Sequence, residues 1–441
     1  MTSRKQLKLR IRARMARTGE SYTTARRQVA GAGSAGPAPA EHGGYRLRGG
    51  VHPVSAALAH VLAHHGVRVD GAELSEAMVF GIAGGPGAGY ILWEFAHDGS
   101  RPVVLGFSAQ WQYADRAPLA ALRRLAVPAA VERTGGAVTA ARTLAAALDA
   151  GRPALVWPDR VGAGYWHLPA ILDGMGGHPV VVHGRDGDRY RVDDRGLAPL
   201  TVPVDRFDAA RARVGSYRNL MIVPAPDGDL SVDVVRRAVL DAIADCATRL
   251  GGTSTSFALP AWTKWARTLT DAKAAKGWPR VFADGRGLAW ALTSVWEGAS
   301  PAGATGGHLR DLTAQFLDDA EPLVGGTAPA AAAWREAAAA WHEVAETALP
   351  VDVPEFARLR ELTAAVHQSV LAEGDAGAAD AAADAAQLWA LRAELDAAPP
   401  LSTAQRDDLF AALADRLRAA HTAERTAVAE LAAIGRRVTT G

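Results

Sequence analysis

Apolar residues recur with a period near 3.6 over residues 54–62, where Val54, Ala57, Leu58, Val61 and Leu62 share a face, and the helical pattern resumes over Leu74–Phe80. Both stretches predict helices. The pattern then changes. Pro102–Phe107 (PVVLGF) and Ala154–Trp157 (ALVW) are short apolar runs bounded by turn residues, which predicts buried strands, with a helix over Thr139–Ala150 between them. Pro179–His183 and Tyr190–Asp193 flank Asp186-Gly187, a strong hairpin signal, and Leu220–Val223 supplies a strand that closes the sheet. Helices first and an antiparallel sheet afterwards predict an α+β domain. Beyond Pro224–Gly228 the chain reads as helical and Ala-rich. Trp262, Trp265, Trp278, Trp290, Trp296, Trp334 and Trp341 are spaced through it as core anchors of an all-α bundle. Two final helices, about 355–398 and 403–436, are parted by Pro399-Pro400.

Composition adds bounds. At 441 residues, 49% of them apolar, the chain is long enough for two domains. No run of eighteen apolar residues exists to cross a membrane, and the basic N-terminus has no apolar segment behind it, so a cytoplasmic protein is expected. The single Cys246 forms no internal disulfide and reads as a small core residue of an amphipathic helix. Residues 1–30 hold nine Lys or Arg against one Glu, which puts +8 on this segment and leaves −7 on the rest of a chain of net charge +1. Leu7, Ile11 and Met15 make residues 4–17 an amphipathic basic helix. The arm either docks an acidic partner or packs as a solvated extension. Nucleic acid is not expected, because no aromatic residues interleave the charges. Gly31–Ala40 (GAGSAGPAPA) is a flexible linker by composition.

The candidate chemistry starts at Gly49-Gly50-Val51-His52-Pro53-Val54-Ser55. Pro53 suits the first helical position, where its missing N–H is an orphan donor anyway. A thiol there would be activated by the positive end of the helix dipole, but no cysteine is present. A second block follows: Leu74-Ser75-Glu76-Ala77-Met78-Val79-Phe80-Gly81. The two blocks resemble the N-terminal domain family of butirosin biosynthesis protein H. That family reads His-Cys at the helix start and Ser-Glu-small-apolar-apolar-Phe-Gly some twenty residues on. His52 and Ser75–Gly81 match, and Pro53 stands where the cysteine is expected. The later half resembles the helical domain that usually follows, through Trp262, Trp265, Gly306–Arg310, Phe316-Leu317 and the Trp334–Trp341 helix.

The resemblance, covering roughly residues 45–350, implies an α+β papain-like (cysteine-peptidase-like) domain over 41–225 followed by an all-α helical domain over 226–441. It implies acyl transfer from a carrier-protein thioester to an amine of a small molecule or peptide in specialised metabolism, without cofactor or metal. His178, after Gly176-Gly177, takes the place of the base, and Asp194 that of the carboxylate orienting it; strand alternation puts only one of Asp193 and Asp194 on the site face. Ser55 is the candidate replacement nucleophile, or else a helix residue bonding to backbone. His52 is a second base or a cap. His52, Glu76, Gly84 within the Gly81–Gly89 loop, Tyr90 and Asp159 are expected to line the substrate cleft, with Trp93, Glu94 and Tyr165–His167 nearby. The glycine loop lacks the features of a phosphate-binding loop. His60 and His64 are spaced for a metal, but no third ligand is evident, so a solvated or partly buried helix face is expected. Two other classes stay open: a binding or scaffold protein that has lost its nucleophile, and an amide hydrolase.

Overall fold

The computed structural model describes residues 41–42, 44–94 and 101–439. The basic arm and the linker expected at 1–30 and 31–40 lie outside the described residues. Six strands form the central sheet: β1 (Ala129–Glu132), β2 (Ala154–Val156), β3 (Val180–Asp186), β4 (Arg189–Asp193), β5 (Leu200–Pro203) and β6 (Met221–Pro224). Their order is β5-β4-β3-β2-β6-β1, and every neighbouring pair is antiparallel. The predicted last strand, β6, therefore does not close the sheet; it inserts between β2 and β1. Val103–Leu105 is not in this sheet either, and pairs with Tyr90–Leu92 in a separate ribbon. The hairpin signal holds. Asp186 pairs with Arg189, so Gly187 and Asp188 make the two-residue turn, with Gly187 at φ +57°. A register shift between Arg191 and Val192 bulges β4 just before its end, the kind of irregularity that re-aims side chains.

Alternation along the strands divides the core. Leu155, Val181 and Ile222 face helix α1 (Pro53–His64) and helix α2 (Glu76–Ile82), whereas Val156, Val180, Val182 and Val192 pack with Leu144 and Phe207 on the other side. The all-helical part follows from Ser231. It contains α4 (Val232–Leu250), α5 (Pro260–Thr270), α6 (Leu288–Ala299), α7 (Arg310–Val324), α8 (Ala328–Ala348), α9 (Pro354–Gln368), α10 (Ala378–Ala397) and α11 (Thr403–Thr439); α3, in the first part, is the short helix Arg160–Ala163. The single helix expected over 355–398 is instead two. A π turn at Ser369–Glu373 and a 3-10 turn at Gly374–Gly377 bend the chain back, and α9 and α10 pack on each other as a hairpin.

The two halves share one continuous apolar core, running from Tyr45 to Ile434. This overturns the cleft expected around the glycine loop, because residues 81–90 are all buried against the helical half. A Cβ on Gly81 would stand 2.2 Å from the ring of Phe316, and one on Gly89 or Gly106 would strike Trp111. The Gly84 carbonyl accepts from Arg249 Nη2 at 2.6 Å. Tyr90 stacks on Trp265 at 4.9 Å and its hydroxyl accepts from Trp278 Nε1 at 2.9 Å. Gly84 and Tyr90 are packing residues here; the glycines permit close approach of another surface, not of a ligand.

Candidate active site

The site is built around the end of β4. Consecutive residues point to opposite faces, so Asp193 and Asp194 serve different partners. Asp193 Oδ2 accepts from Tyr45 Oη at 3.0 Å and meets His60 Nδ1 at 2.7 Å. His60 Nε2 lies 3.1 Å from the Gly49 carbonyl. Both ring nitrogens thus face acceptors, which requires an imidazolium. Burial opposes that charge, but Asp193 outweighs it and the His60 pKa is raised. His60 is therefore neither a metal ligand nor a solvated residue; it ties α1 to the sheet.

Asp194 holds the other histidine. Its Oδ1 accepts from His178 Nε2 at 2.8 Å, and its Oδ2 accepts from Tyr165 Oη at 3.0 Å and Trp166 Nε1 at 2.9 Å. The His178 backbone N–H donates to the Pro158 carbonyl at 2.9 Å. Burial disfavours the Asp194 carboxylate, yet His178, Arg195 and the Trp166 N–H bring its pKa down to about 2. The His178 pKa is lowered by burial first, with Arg160 and Arg195 assisting and Asp194 opposing. At neutral pH this leaves an ionised Asp194 beside a neutral imidazole. With the Nε2 hydrogen given to Asp194, the lone pair sits on Nδ1, the arrangement a general base requires.

The helix start is a third element of the site, and it is fully engaged in holding itself. Glu76 accepts from Val51 N at 3.0 Å, from His52 N at 2.7 Å and from Ser55 Oγ at 3.3 Å. His52 caps α1, its Nδ1 3.0 Å from Ser55 Oγ, and its ring lies edge-on to Phe80 at 5.5 Å. These contacts correct two expectations. Ser55, 1% exposed, is partnered by His52 and Glu76 and not by His178. Glu76 braces the helix start from within and does not line a cleft. Pro53 contributes neither a nucleophile nor a backbone N–H. Arg195 joins the helix start to the histidine pair: Nη1 donates to the Val51 carbonyl at 2.6 Å, while Nε stands 3.8 Å from Asp194 Oδ1. That second separation is an ion pair but too long for a hydrogen bond, and Nε and Nη2 of Arg195 are buried without hydrogen-bond partners.

Asp159 also departs from expectation. Its oxygens accept from Gly162 N at 2.8 Å and Gly174 N at 2.9 Å, so it caps α3 and pins the loop before His178. Trp93 and Glu94 are exposed; Tyr165 and Trp166 are in the cluster, and His167 lies beside Arg206. Three residues were not foreseen: Arg160, Arg195 and His367. Arg160 covers the Trp166 ring at 5.0 Å, and His367 from α9 meets the same ring edge-on at 5.0 Å. Adjacency to Asp194 was a signal for Arg195. His367 had none, since 173 positions separate it from Asp194.

One further cluster, His308, Asp311 and His342, places three potential ligand atoms within 4.8 Å of one another. His308 Nδ1 accepts from Arg310 N at 3.1 Å, and burial, then His342, keeps the ring neutral. Its Nε2 therefore carries a hydrogen and offers no lone pair to a metal; that atom is buried without a hydrogen-bond partner, 3.8 Å from Asp311 Oδ2.

Residues 52–195 match the family model described as butirosin biosynthesis protein H, N-terminal. By this match the segment is similar to that family's domain. The matched range runs from the cap of α1 to Arg195 and so encloses His52, His178 and Asp194, while His367 lies beyond it. No curated protein matches the chain. Among the described residues no helix is long and apolar enough to cross a membrane.

Buried neutral histidines make the domain acid-sensitive. His52, His183 and His367 are all brought to about 3, each chiefly by burial. A group whose folded pKa lies below its unfolded value, about 6.5 for histidine, takes its proton more readily when unfolded. Stability from these residues is thus full above about pH 6.5 and is lost as pH falls toward 3. His60 has the opposite sign: its contribution is full below about 6.5 and is lost as pH rises through its raised pKa. The urea midpoint is expected to decline steadily from pH 7 to pH 4.5. A flat midpoint across that range would contradict the neutral burial of these rings.

Proposed function

We propose that this protein is an acyltransferase that moves an acyl group from a carrier-protein thioester directly to an amine, without an acyl-enzyme. The observation carrying this reading is the intact His178–Asp194 pair, held in the basic tautomer beside a helix start that offers no nucleophile. The acceptor nitrogen attacks the thioester carbonyl carbon, and a C–N bond forms. His178 Nδ1 takes the proton the amine sheds. The C–S bond then breaks, and the leaving thiolate recovers that proton from His178. Arg195, whose Nε and Nη2 are buried and unpartnered beside Asp194, is our candidate to stabilise the oxyanion.

The second reading, a binding or scaffold protein, draws on the same absence of a nucleophile. Intact-mass measurement with carrier-bound acyl-thioesters separates the two. The expected result is amide product in the presence of an amine, with no covalent adduct on the protein at any time. An adduct on Ser55 would show the direct route to be wrong, and absence of any product would favour the binding protein. Docking of an acidic carrier by the basic arm is part of this proposal and is tested by deleting residues 1–38 and measuring carrier affinity.

A further inference from the structure

A cavity of about 210 Å³ is lined by residues of both halves, Trp166 among them but not Asp194. The Trp166 indole N–H donates to Asp194, while its ring forms a wall of the cavity, next to Arg160 and His367. The helical half supplies the opposite wall with Trp290, Trp389 and Arg392.

We propose that this cavity binds a small planar carboxylate, the distal end of the transferred acyl group. Three observations carry it. The first is charge. The lining holds two guanidinium groups and one carboxylate, Glu297, which is already bonded to Arg392 Nη1 at 3.1 Å; His367 is neutral, with a pKa near 3 set by burial. Among the lining residues a surplus positive charge remains, with Asp194, already paired with His178, as the further carboxylate acting on Arg160. The second is hydrogen bonding. Arg160 Nε and Arg392 Nε are both buried without a partner, and a buried donor left unmade is costly. A carboxylate supplies two acceptors in the plane that a guanidinium fork prefers. The third is shape. Trp290 and Trp389 lie 5.8 Å apart with the Arg392 guanidinium 4.6 and 4.5 Å from their centroids, and Trp166 faces Arg160. Flat aromatic walls favour a flat ligand. The volume, roughly seven times that of a liquid water molecule, fits one ring and its carboxylate.

Only the identification of the ligand as an acyl end rests on the acyl-transfer reading; binding is measured without turnover. The test titrates full-length protein with benzoate and with its neutral counterpart benzamide, followed by tryptophan fluorescence and calorimetry. Benzoate is expected to bind with a Kd at or below about 1 mM and benzamide at least tenfold more weakly. In Arg160→Gln, benzoate affinity is expected to fall about tenfold while benzamide affinity is unchanged. Equal affinity for the two compounds in the unmodified protein, or saturable binding of neither, would overturn the proposal, and that comparison stands even where the variant does not fold. Benzoate binding unaffected by Arg160→Gln would overturn it too. Benzoate binding of the expected kind in a protein that never forms amide product would leave the cavity assigned and remove the acyl-transfer reading alone.

Discussion

Changing His178 to Ala is expected to lower kcat/KM for amide formation by two to four decades, about the contribution of a positioned general base. The size of the effect follows from how completely the ring is committed. Its Nε2 is bound to Asp194 at 2.8 Å, its backbone N–H is fixed to Pro158, and burial keeps it neutral. No neighbouring base stands in the same position: His52 and His367 have pKa values near 3 and are far weaker proton acceptors. Asp194→Asn should approach the same loss, because an amide cannot hold the tautomer that leaves Nδ1 free. Ser55→Ala is the discriminating variant. Its hydroxyl bonds only within the helix start, so the expected change is about 1 kcal/mol of stability and little change in rate. Product formation assayed by mass spectrometry checks all three. A Ser55→Ala rate as low as that of His178→Ala would restore serine as nucleophile and remove the direct mechanism.

The largest stability effect is expected at Glu424, far from the site. This residue of α11 is 0% exposed. It accepts from Arg310 Nε at 2.6 Å and Nη2 at 2.5 Å, from Trp262 Nε1 at 2.9 Å and from Trp341 Nε1 at 2.5 Å. Arg310 in turn donates to the carbonyls of Gly87 at 2.8 Å and Phe107 at 3.3 Å, in the first half. Glu424→Ala leaves a buried guanidinium without its counter-charge and two indole N–H groups without an acceptor. Such a loss costs about 3–5 kcal/mol, or a fall in Tm of roughly 3–6 °C for a chain of this length. Replacing both partners with apolar residues, Arg310→Met with Glu424→Leu, should recover much of it, since the pair repays its own desolvation only narrowly. Thermal melts of the two variants decide this. A Glu424→Ala protein within about 1 kcal/mol of the parent would mean the network is not what fixes the halves together.

The helices and most of the sheet were legible because they rest on local signals. The 3.6 period gave α1 and α2, and Asp186-Gly187 gave the hairpin that sets Asp194 near His178. The pair blocks around His52 and Ser75 pointed to the family that residues 52–195 match. What stayed hidden depends on tertiary partners. Ala129–Glu132 and Leu200–Pro203 are short and carry weak strand signals, and they pair only because β6 and β4 offer their edges. The glycines at 81–89 invited a mobile cleft, but their meaning is set by Phe316, Trp111 and Arg249, none of which is a sequence neighbour. Asp159 and Glu76 attracted notice as acids and turned out to serve backbone N–H groups, a distinction that only coordinates reveal. Alternation correctly separated Asp193 from Asp194, yet nothing in the pattern showed that the discarded one would hold His60 as a cation.

The bend between α9 and α10 is seated on the loop that follows Asp194. Leu197 N donates to the Leu371 carbonyl at 2.7 Å, Asp375 N donates to the Pro199 carbonyl at 2.9 Å, and Asp375 accepts from Thr201 N at 3.0 Å and Oγ1 at 2.8 Å. His367 stands on one arm of this hairpin, and Trp389 and Arg392 stand on the other. The hairpin is thus a lever whose fulcrum rests three to seven residues beyond the carboxylate paired with His178. Anything that spreads the arms loads that fulcrum, and anything that loosens the fulcrum lets the arms part. Under the proposed function the ligand cavity and the proton-transfer pair share this support, so a change at Asp375 is expected to be felt at both although it touches neither.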